Sequence, residues 1–225
     1  MKKNKLFIIG LVTVFVALLS LTLVSSTFAK YVTTSTGTDT ARVAKWGVNI
    51  TAAGNDAFSK VYRTDDTSVT GIASSVISST EDKVIAPGTK GTFAAVTVTG
   101  KPEVAVKIER KAEVTLSNWT INTDEFYCPI VITVKLGGTS TEFTQGGATN
   151  TAATLEAAIE TAINKTINVA PNTDLSGEIN SLEISWKWDF GDGTTDADAK
   201  DTALGNLDPA PTITVKVVTT VTQID

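Results

Sequence analysis

The sequence predicts a mainly β protein, a β-sandwich of the jelly-roll or immunoglobulin-like type with one inserted amphipathic helix, preceded by an N-terminal signal helix. Two observations predict the sandwich. Threonine and valine are abundant, and these β-branched residues favour a pleated sheet. Several segments alternate apolar and polar residues with a period of two, and turns rich in glycine or proline separate them. A length of 225 residues suits one domain with a leader.

Residues 1–29 have the three parts of a secretory signal peptide. Three lysines lie within the first five residues, an apolar run covers residues 6–24, and the small residues Thr27 and Ala29 form a cleavage signal. Because the run approaches the roughly 18–20 residues that span a bilayer, an uncleaved anchor is the alternative. We expect signal peptidase to be the partner during export, and we expect the protein to contact the membrane only through this segment.

The segment 30–41 is polar, β-prone and almost uncharged, and the sandwich domain covers residues 42–225. A free extended segment can add to the sheet edge of another molecule through main-chain hydrogen bonds, as a donor strand. The alternative is an ordinary chain end that pairs with nothing. A first strand is predicted over residues 41–51. The residues assigned to the donor strand and first strand are Lys30, Tyr31, Val32, Val43, Trp46, Val48 and Ile50.

The remaining strands follow from alternation, in which one face is buried and the other is wet. The predicted strands contain residues 104–108, 114–116, 130–136, 182–188 and 213–217. One segment, 151–166, has the helical period instead, with Thr151 or Thr154 as N-cap and with Glu156 and Glu160 on the polar face. The residues expected on its apolar face are Leu155, Ile159, Ala162 and Ile163.

Composition excludes several classes of function. The chain has no histidine and one cysteine, so it cannot build a Ser-His-Asp triad, a Cys-His dyad, an internal disulfide or a thiolate zinc cluster. Loss of the leader leaves 16 basic and 24 acidic residues, which argues against nucleic acid as a partner. Cys128 precedes an apolar strand and is expected to be a small buried residue, with an intermolecular disulfide or an exposed thiol as the alternative. No enzyme activity is expected.

An acidic stretch between two strands is the one candidate metal site. Its carboxylates could supply oxygen ligands to Ca²⁺, although the spacing of an EF-hand is not met. A solvated acidic loop is the alternative, and no other cofactor is expected. The residues of this site are Asp189, Asp192, Asp196, Asp198 and Asp201.

Several short motifs resemble the TasA/camelysin-like secreted proteins of Gram-positive bacteria, which carry the SipW-dependent type of signal peptide. These motifs are Ala29-Lys-Tyr, Thr40-Ala-Arg-Val-Ala-Lys-Trp46, Ala86-Pro-Gly88, Pro102-Glu-Val-Ala-Val106, Phe126-Tyr-Cys-Pro-Ile130, Trp186-Lys-Trp188 and Asp201-Thr-Ala-Leu-Gly205. The resemblance implies a jelly-roll-like sandwich and assembly into extracellular biofilm-matrix or pilus-like fibres. In such fibres a donor strand completes the sheet of the next subunit. The protease activity implied by the name camelysin is not expected without histidine.

The sequence therefore predicts a secreted structural protein, a subunit of an extracellular filament or biofilm matrix that polymerises with itself, head to tail. The alternative is a monomeric adhesin or binding module of the cell surface that uses the acidic stretch to bind Ca²⁺. Strand order and the identity of the acceptor edge do not follow from the sequence.

Overall fold

The computed structural model describes residues 40–52, 57–63, 71–80, 82–176, 181–190 and 195–224. The signal peptide predicted at residues 1–29, together with Lys30, Tyr31 and Val32, lies outside the described residues. The chain divides into two compact units, Met1–Arg42 and Val43–Asp225. All described strands and helices belong to the second unit.

The fold is mainly β, as predicted, and is built from antiparallel sheets. The strands are β1 (Val48–Ala52), β2 (Val61–Arg63), β3 (Ser74–Ile77), β4 (Lys90–Gly100), β5 (Val106–Ser117), β6 (Thr120–Ile121), β7 (Glu125–Phe126), β8 (Val131–Leu136), β9 (Thr139–Phe143), β10 (Lys165–Val169), β11 (Ser181–Lys187) and β12 (Thr212–Gln223). The helices are α1 (Ala152–Ile163) and α2 (Thr195–Gly205). No helix in the described ranges is long and apolar enough to cross a membrane.

Two sheets supply most of the core. One has five strands in the order β1-β4-β11-β8-β9, and the other has three in the order β10-β5-β12. Short two-stranded sheets, β2-β3 and β6-β7, accompany them. Inward side chains of both large sheets share one apolar cluster, and a smaller cluster lies around Val98, Val106, Ile108 and Leu175. The predicted alternation is confirmed in β5, β8 and β11, where buried and more exposed positions follow one another.

The predicted helix is confirmed as α1, with boundaries close to those expected. Thr151 is the N-cap, and its side chain and that of Thr154 form a reciprocal capping box with the two backbone N–H groups. Leu155, Ile159 and Ile163 are fully buried because their spacing places them on one face of the helix. The helix therefore packs as its apolar period predicts.

The prediction of a single helix is wrong, because α2 occupies part of the stretch expected to be an acidic loop. Leu204 is its one fully buried apolar side chain, so no apolar stripe marks this helix in the sequence. Asp196 and Asp198 lie in its first turn, where negative charge interacts favourably with the helix dipole.

Candidate assembly surface

Strand β12 forms an edge of the three-stranded sheet, and no described strand occupies one side of its backbone. It pairs with β5 over its whole length, and no other strand in the described ranges pairs with it. Just beyond β12, the N–H of Ile224 donates to the carbonyl of Ala105 (2.9 Å). Every second residue of a strand bonds to the same neighbouring strand in an antiparallel ladder, so this bond shows which residues of β12 bond to β5. The even-numbered residues therefore bond to β5. The odd-numbered residues from Ile213 to Gln223 direct their N–H and C=O groups to the open side.

The same odd-numbered residues point their side chains at the core, but they cover it incompletely. Val215 and Val217 are half-buried, whereas Val114 and Ile108 on the neighbouring β5 are only 4% and 0% exposed. The hydroxyl of Thr219 is buried and has no hydrogen-bond partner within the described part of the chain. The sandwich is thus less complete along β12 than along β5.

The composition of β12 does little to protect this edge. Natural edge strands are kept from pairing by charges, prolines, bulges or short length. β12 has twelve residues in unbroken register, contains no proline or glycine, and carries one charge, Lys216. The ammonium group of Lys216 binds the carboxylate of Glu113 on β5 at 3.3 Å. A long, regular and nearly uncharged edge of this kind is suited to accept another strand.

The opposite side of β5 is closed. β10 pairs with its first half, and α1 covers its second half. Three side chains of the helix region accept hydrogen bonds from alternate β5 amides. These bonds run from Ala112 N–H to Asn164 Oδ1 (2.8 Å), from Val114 N–H to Glu160 Oε1 (2.9 Å) and from Leu116 N–H to Glu156 Oε1 (2.6 Å).

The match between helix and strand is geometric. Four residues of α-helix rise about 6.0 Å, and two residues of strand advance about 6.8 Å. Every fourth side chain from 156 to 164 can therefore meet every second amide of β5. Glu156 and Glu160, which were predicted on the polar face of the helix, both act through their carboxylates as acceptors for the sheet. The helix thus takes the place of a strand on this side.

A groove of about 740 Å³ lies at the N-terminal end of β12. Thr212 and Ile213 contribute to one wall, and residues between 76 and 85 contribute to the other. Trp119 and Trp188 also line the groove, with ring centroids 6.4 Å apart, and the indole N–H of Trp119 donates to the carbonyl of Thr212 (2.8 Å). The groove therefore offers aromatic and aliphatic surface next to the start of the open edge.

An aromatic cluster holds the far wall of the groove in place. The indole N–H of Trp186 donates to the carbonyl of Ala57 (2.7 Å), and the rings of Phe58 and Tyr62 pack against it at 5.3 and 6.2 Å. The hydroxyl of Tyr62 donates to the carbonyl of Val84 (2.9 Å). Burial raises the pKa of Tyr62, so this hydroxyl stays protonated and able to donate.

The described residues of the predicted first strand belong to the molecule's own sheet. β1 is shorter than expected and begins at Val48, which pairs with Gly100, while Ile50 pairs with Val98. Val43 and Trp46 precede β1 and are 91% and 42% exposed. The pairing of β1 with β4 narrows the candidate donor to the segment 30–41.

Three of the acidic residues predicted to bind Ca²⁺ each interact with a different partner. Asp189 binds Lys187 at 2.7 Å, and Asp196 binds Lys200 at 3.2 Å. Asp201 accepts a hydrogen bond from a tyrosine hydroxyl at 2.7 Å.

The other two residues of this predicted Ca²⁺ site do not complete a common metal-binding centre in the described part of the chain. Asp198 lies in the first turn of α2, and Asp192 lies outside the described residues. Within the described ranges, no group of three or more metal-ligating residues converges. Calcium binding stays a prediction.

Cys128 is buried, as expected, at 2% exposure. Desolvation raises the pKa of its thiol to about 11. Gln145 fixes the backbone around it, because its amide oxygen accepts from the N–H of Cys128 (2.6 Å) and its amide nitrogen donates to the carbonyl of Phe126 (2.5 Å). The residue is a packed, protonated core thiol.

Comparison with protein-family models, with curated proteins and with solved structures yields no match for this chain. Its function must therefore be inferred from the geometry of β12. The sequence of this strand alternates apolar and polar residues over 212–217 and carries one charge. Which side of the strand stays open depends on pairing with β5, far away in the chain.

Proposed function

We propose that this protein is a secreted structural subunit that polymerises head to tail, with the segment 30–41 of one copy added to β12 of the next. The open edge of β12 is the observation that carries the proposal. Six odd-numbered residues from Ile213 to Gln223 direct their backbone groups to a side that no described strand occupies.

Strand addition would satisfy these groups and finish the core. Each new main-chain hydrogen bond contributes about 0.5–1.5 kcal/mol net, so several in a row suffice for stable association. Burial of the half-exposed Val215 and Val217 adds roughly 25 cal/mol for each Å² of apolar surface removed from water. The donor needs few apolar residues, because main-chain bonds supply most of the affinity.

The arrangement gives filaments. A donor segment and an acceptor edge are different surfaces of one subunit, so the contact is heterologous and repeats from copy to copy, which gives an open filament unless the rotation between copies closes a ring. Closure of the second half of β5 by α1 supports β12 as the long acceptor edge of the three-stranded sheet. The proposal includes export by the leader 1–29, a jelly-roll or immunoglobulin-like sandwich, kinship with the TasA/camelysin-like proteins and an extracellular location.

Electron microscopy of three purified proteins tests the proposal. The chain from residue 30 is expected to form filaments, and the chain from residue 42 is expected to remain monomeric. Val217→Pro in the longer chain removes an outward N–H from the open edge, a position at which edge strands tolerate proline, and is expected to abolish filaments. Filaments from all three proteins would contradict the proposal. A protein that stays monomeric and is stabilised by Ca²⁺ binding would favour the adhesin instead.

A further inference from the structure

We infer that the donated segment 30–41 runs parallel to β12, with Val32 at the groove beside the N-terminal end of the strand. The inference rests on the proposed function and adds to it the direction and register of the contact. Nothing in strand addition itself selects between parallel and antiparallel pairing. The selection comes from the length of the segment, from its two faces and from the position of the groove.

Length limits the segment to two placements. β12 has twelve residues, and the segment 30–41 also has twelve. At about 3.3 Å per residue, each covers roughly 40 Å when extended. A segment that follows the open edge from one end to the other is therefore either parallel or antiparallel, with little freedom to slide.

The two faces of the extended segment differ. Its odd-numbered face carries Gly37 and the charge of Asp39, neither of which suits a core. Its even-numbered face is uncharged and β-branched from Val32 to Thr40, which suits packing against a sheet. Side chains alternate along a strand, so the five even-numbered residues from Val32 to Thr40 can turn inward together, while the sixth, Lys30, lies before the start of β12 in the register given below. These residues are Val32, Thr34, Thr36, Thr38 and Thr40.

The inward turn of the even-numbered face sets the register. In parallel pairing it places Val32 beside Ile213 and Thr38 beside Thr219. The buried hydroxyl of Thr219 has no hydrogen-bond partner within the described ranges, and buried polar groups are normally bonded. Thr38 then lies beside Thr219 on the inward face. A register shifted by one residue would turn the odd-numbered face inward and place either Gly37 or the charged Asp39 there.

The position of the groove selects the direction. The groove lies at the Thr212 end of β12, and its lining includes two tryptophans. The one fully apolar side chain of the inward, even-numbered face is Val32, and it lies near the N-terminal end of the segment. The other end carries Asp39, Thr40 and Ala41, which are too small or too polar to fill a groove of about 740 Å³. Parallel placement brings the apolar end of the segment to the groove.

Cysteine cross-linking tests the direction. We would compare Thr33→Cys/Thr214→Cys with Thr33→Cys/Thr220→Cys in the chain from residue 30. Parallel pairing brings residue 33 beside residue 214, and antiparallel pairing brings it beside residue 220. Thr214 and Thr220 are both exposed on the outer face of β12 and lie six residues, or about 20 Å, apart. A disulfide needs Cα atoms within about 7 Å, so one pair can form and the other cannot. The native Cys128 is buried and does not compete.

We expect a reducible ladder of oligomers from the pair with residue 214 and none from the pair with residue 220. A ladder only from residue 220, or equal ladders from both, would overturn the inference and leave the proposed function standing. Filaments that form without a ladder from either pair would do the same. The absence of both ladders and filaments, in these variants and in the parent chain, would overturn the inference and the proposed function together.

A matched pair of charged variants tests the assignment of faces. Val32→Asp places a carboxylate on the inward face, and Thr33→Asp places the same group on the outward face. We expect Val32→Asp to raise the critical concentration for assembly about tenfold or more, because burying an unpaired charge is costly. Thr33→Asp is expected to change this concentration less than threefold. Equal values for the two variants would overturn the register.

Discussion

Replacing Glu160 with alanine tests whether α1 stands in for a strand at the edge of β5. The carboxylate accepts the N–H of Val114 at 2.9 Å, and Val114 is 4% exposed. Removing the acceptor leaves this amide unsatisfied in a site from which water is largely excluded, which costs about 1–3 kcal/mol. The greater helix propensity of alanine offsets only a few tenths of a kcal/mol. We expect Glu160→Ala to lower the free energy of unfolding by about 1–3 kcal/mol.

Urea unfolding of Glu160→Ala, Glu160→Gln and the parent chain measures this effect. The glutamine variant keeps a side-chain oxygen at the same position, so it should lose less than half as much stability as the alanine variant. Amide exchange at Val114 should accelerate in the alanine variant alone. Equal stabilities for the alanine variant and the parent, with unchanged exchange at Val114, would refute the idea that the helix closes this edge.

Three further predictions concern the edge, the core thiol and a close approach of two strands. Val218→Pro should unfold the domain although Val217→Pro does not, because residue 218 donates its N–H to β5. Equal melting curves for the two variants would contradict the assignment of even-numbered residues to β5 and of odd-numbered residues to the open side. The raised pKa of Cys128 means that the folded state holds its proton more tightly, so stability should fall as pH rises from about 9 to about 11. Cys128→Ala should reduce that fall in thermal unfolding and leave the part due to Tyr62, whose pKa is also raised; a slope of the same size in this variant would assign the whole fall to other groups. Gly100→Ala should destabilise the β1-β4 pair, because its Cβ would overlap the carbonyl oxygen of Gly47; a melting temperature equal to that of the parent would contradict this contact.

The sequence predicted those strands and the helix whose boundaries depend on the side chains of neighbouring residues. Alternation placed β5, β8 and β11, and the helical period with a threonine cap placed α1 within three residues at each end. Burial of Cys128 followed from the apolar strand beside it. In each case the side chains that define the element are neighbours in the sequence, so their period is visible there.

Features that depend on distant parts of the chain were not visible. The helical period placed Glu156 and Glu160 on the polar face, but it did not show that each bonds an amide at least forty residues away. α2 carries too few apolar residues to show a period, although Asp196 and Asp198 in its first turn were a signal. The open side of β12 follows from its pairing with β5 and from the absence of a second neighbour among the described strands.

Amide hydrogen exchange along β12, measured residue by residue in monomer and in assembled material, tests the central claim most directly. We predict that assembly slows exchange at the odd-numbered residues Ile213, Val215 and Val217, whose N–H groups face the open side. Even-numbered residues such as Thr214 already bond to β5 and should change little. Assemblies in which the odd-numbered amides exchange as fast as in the monomer would contradict strand addition at this edge.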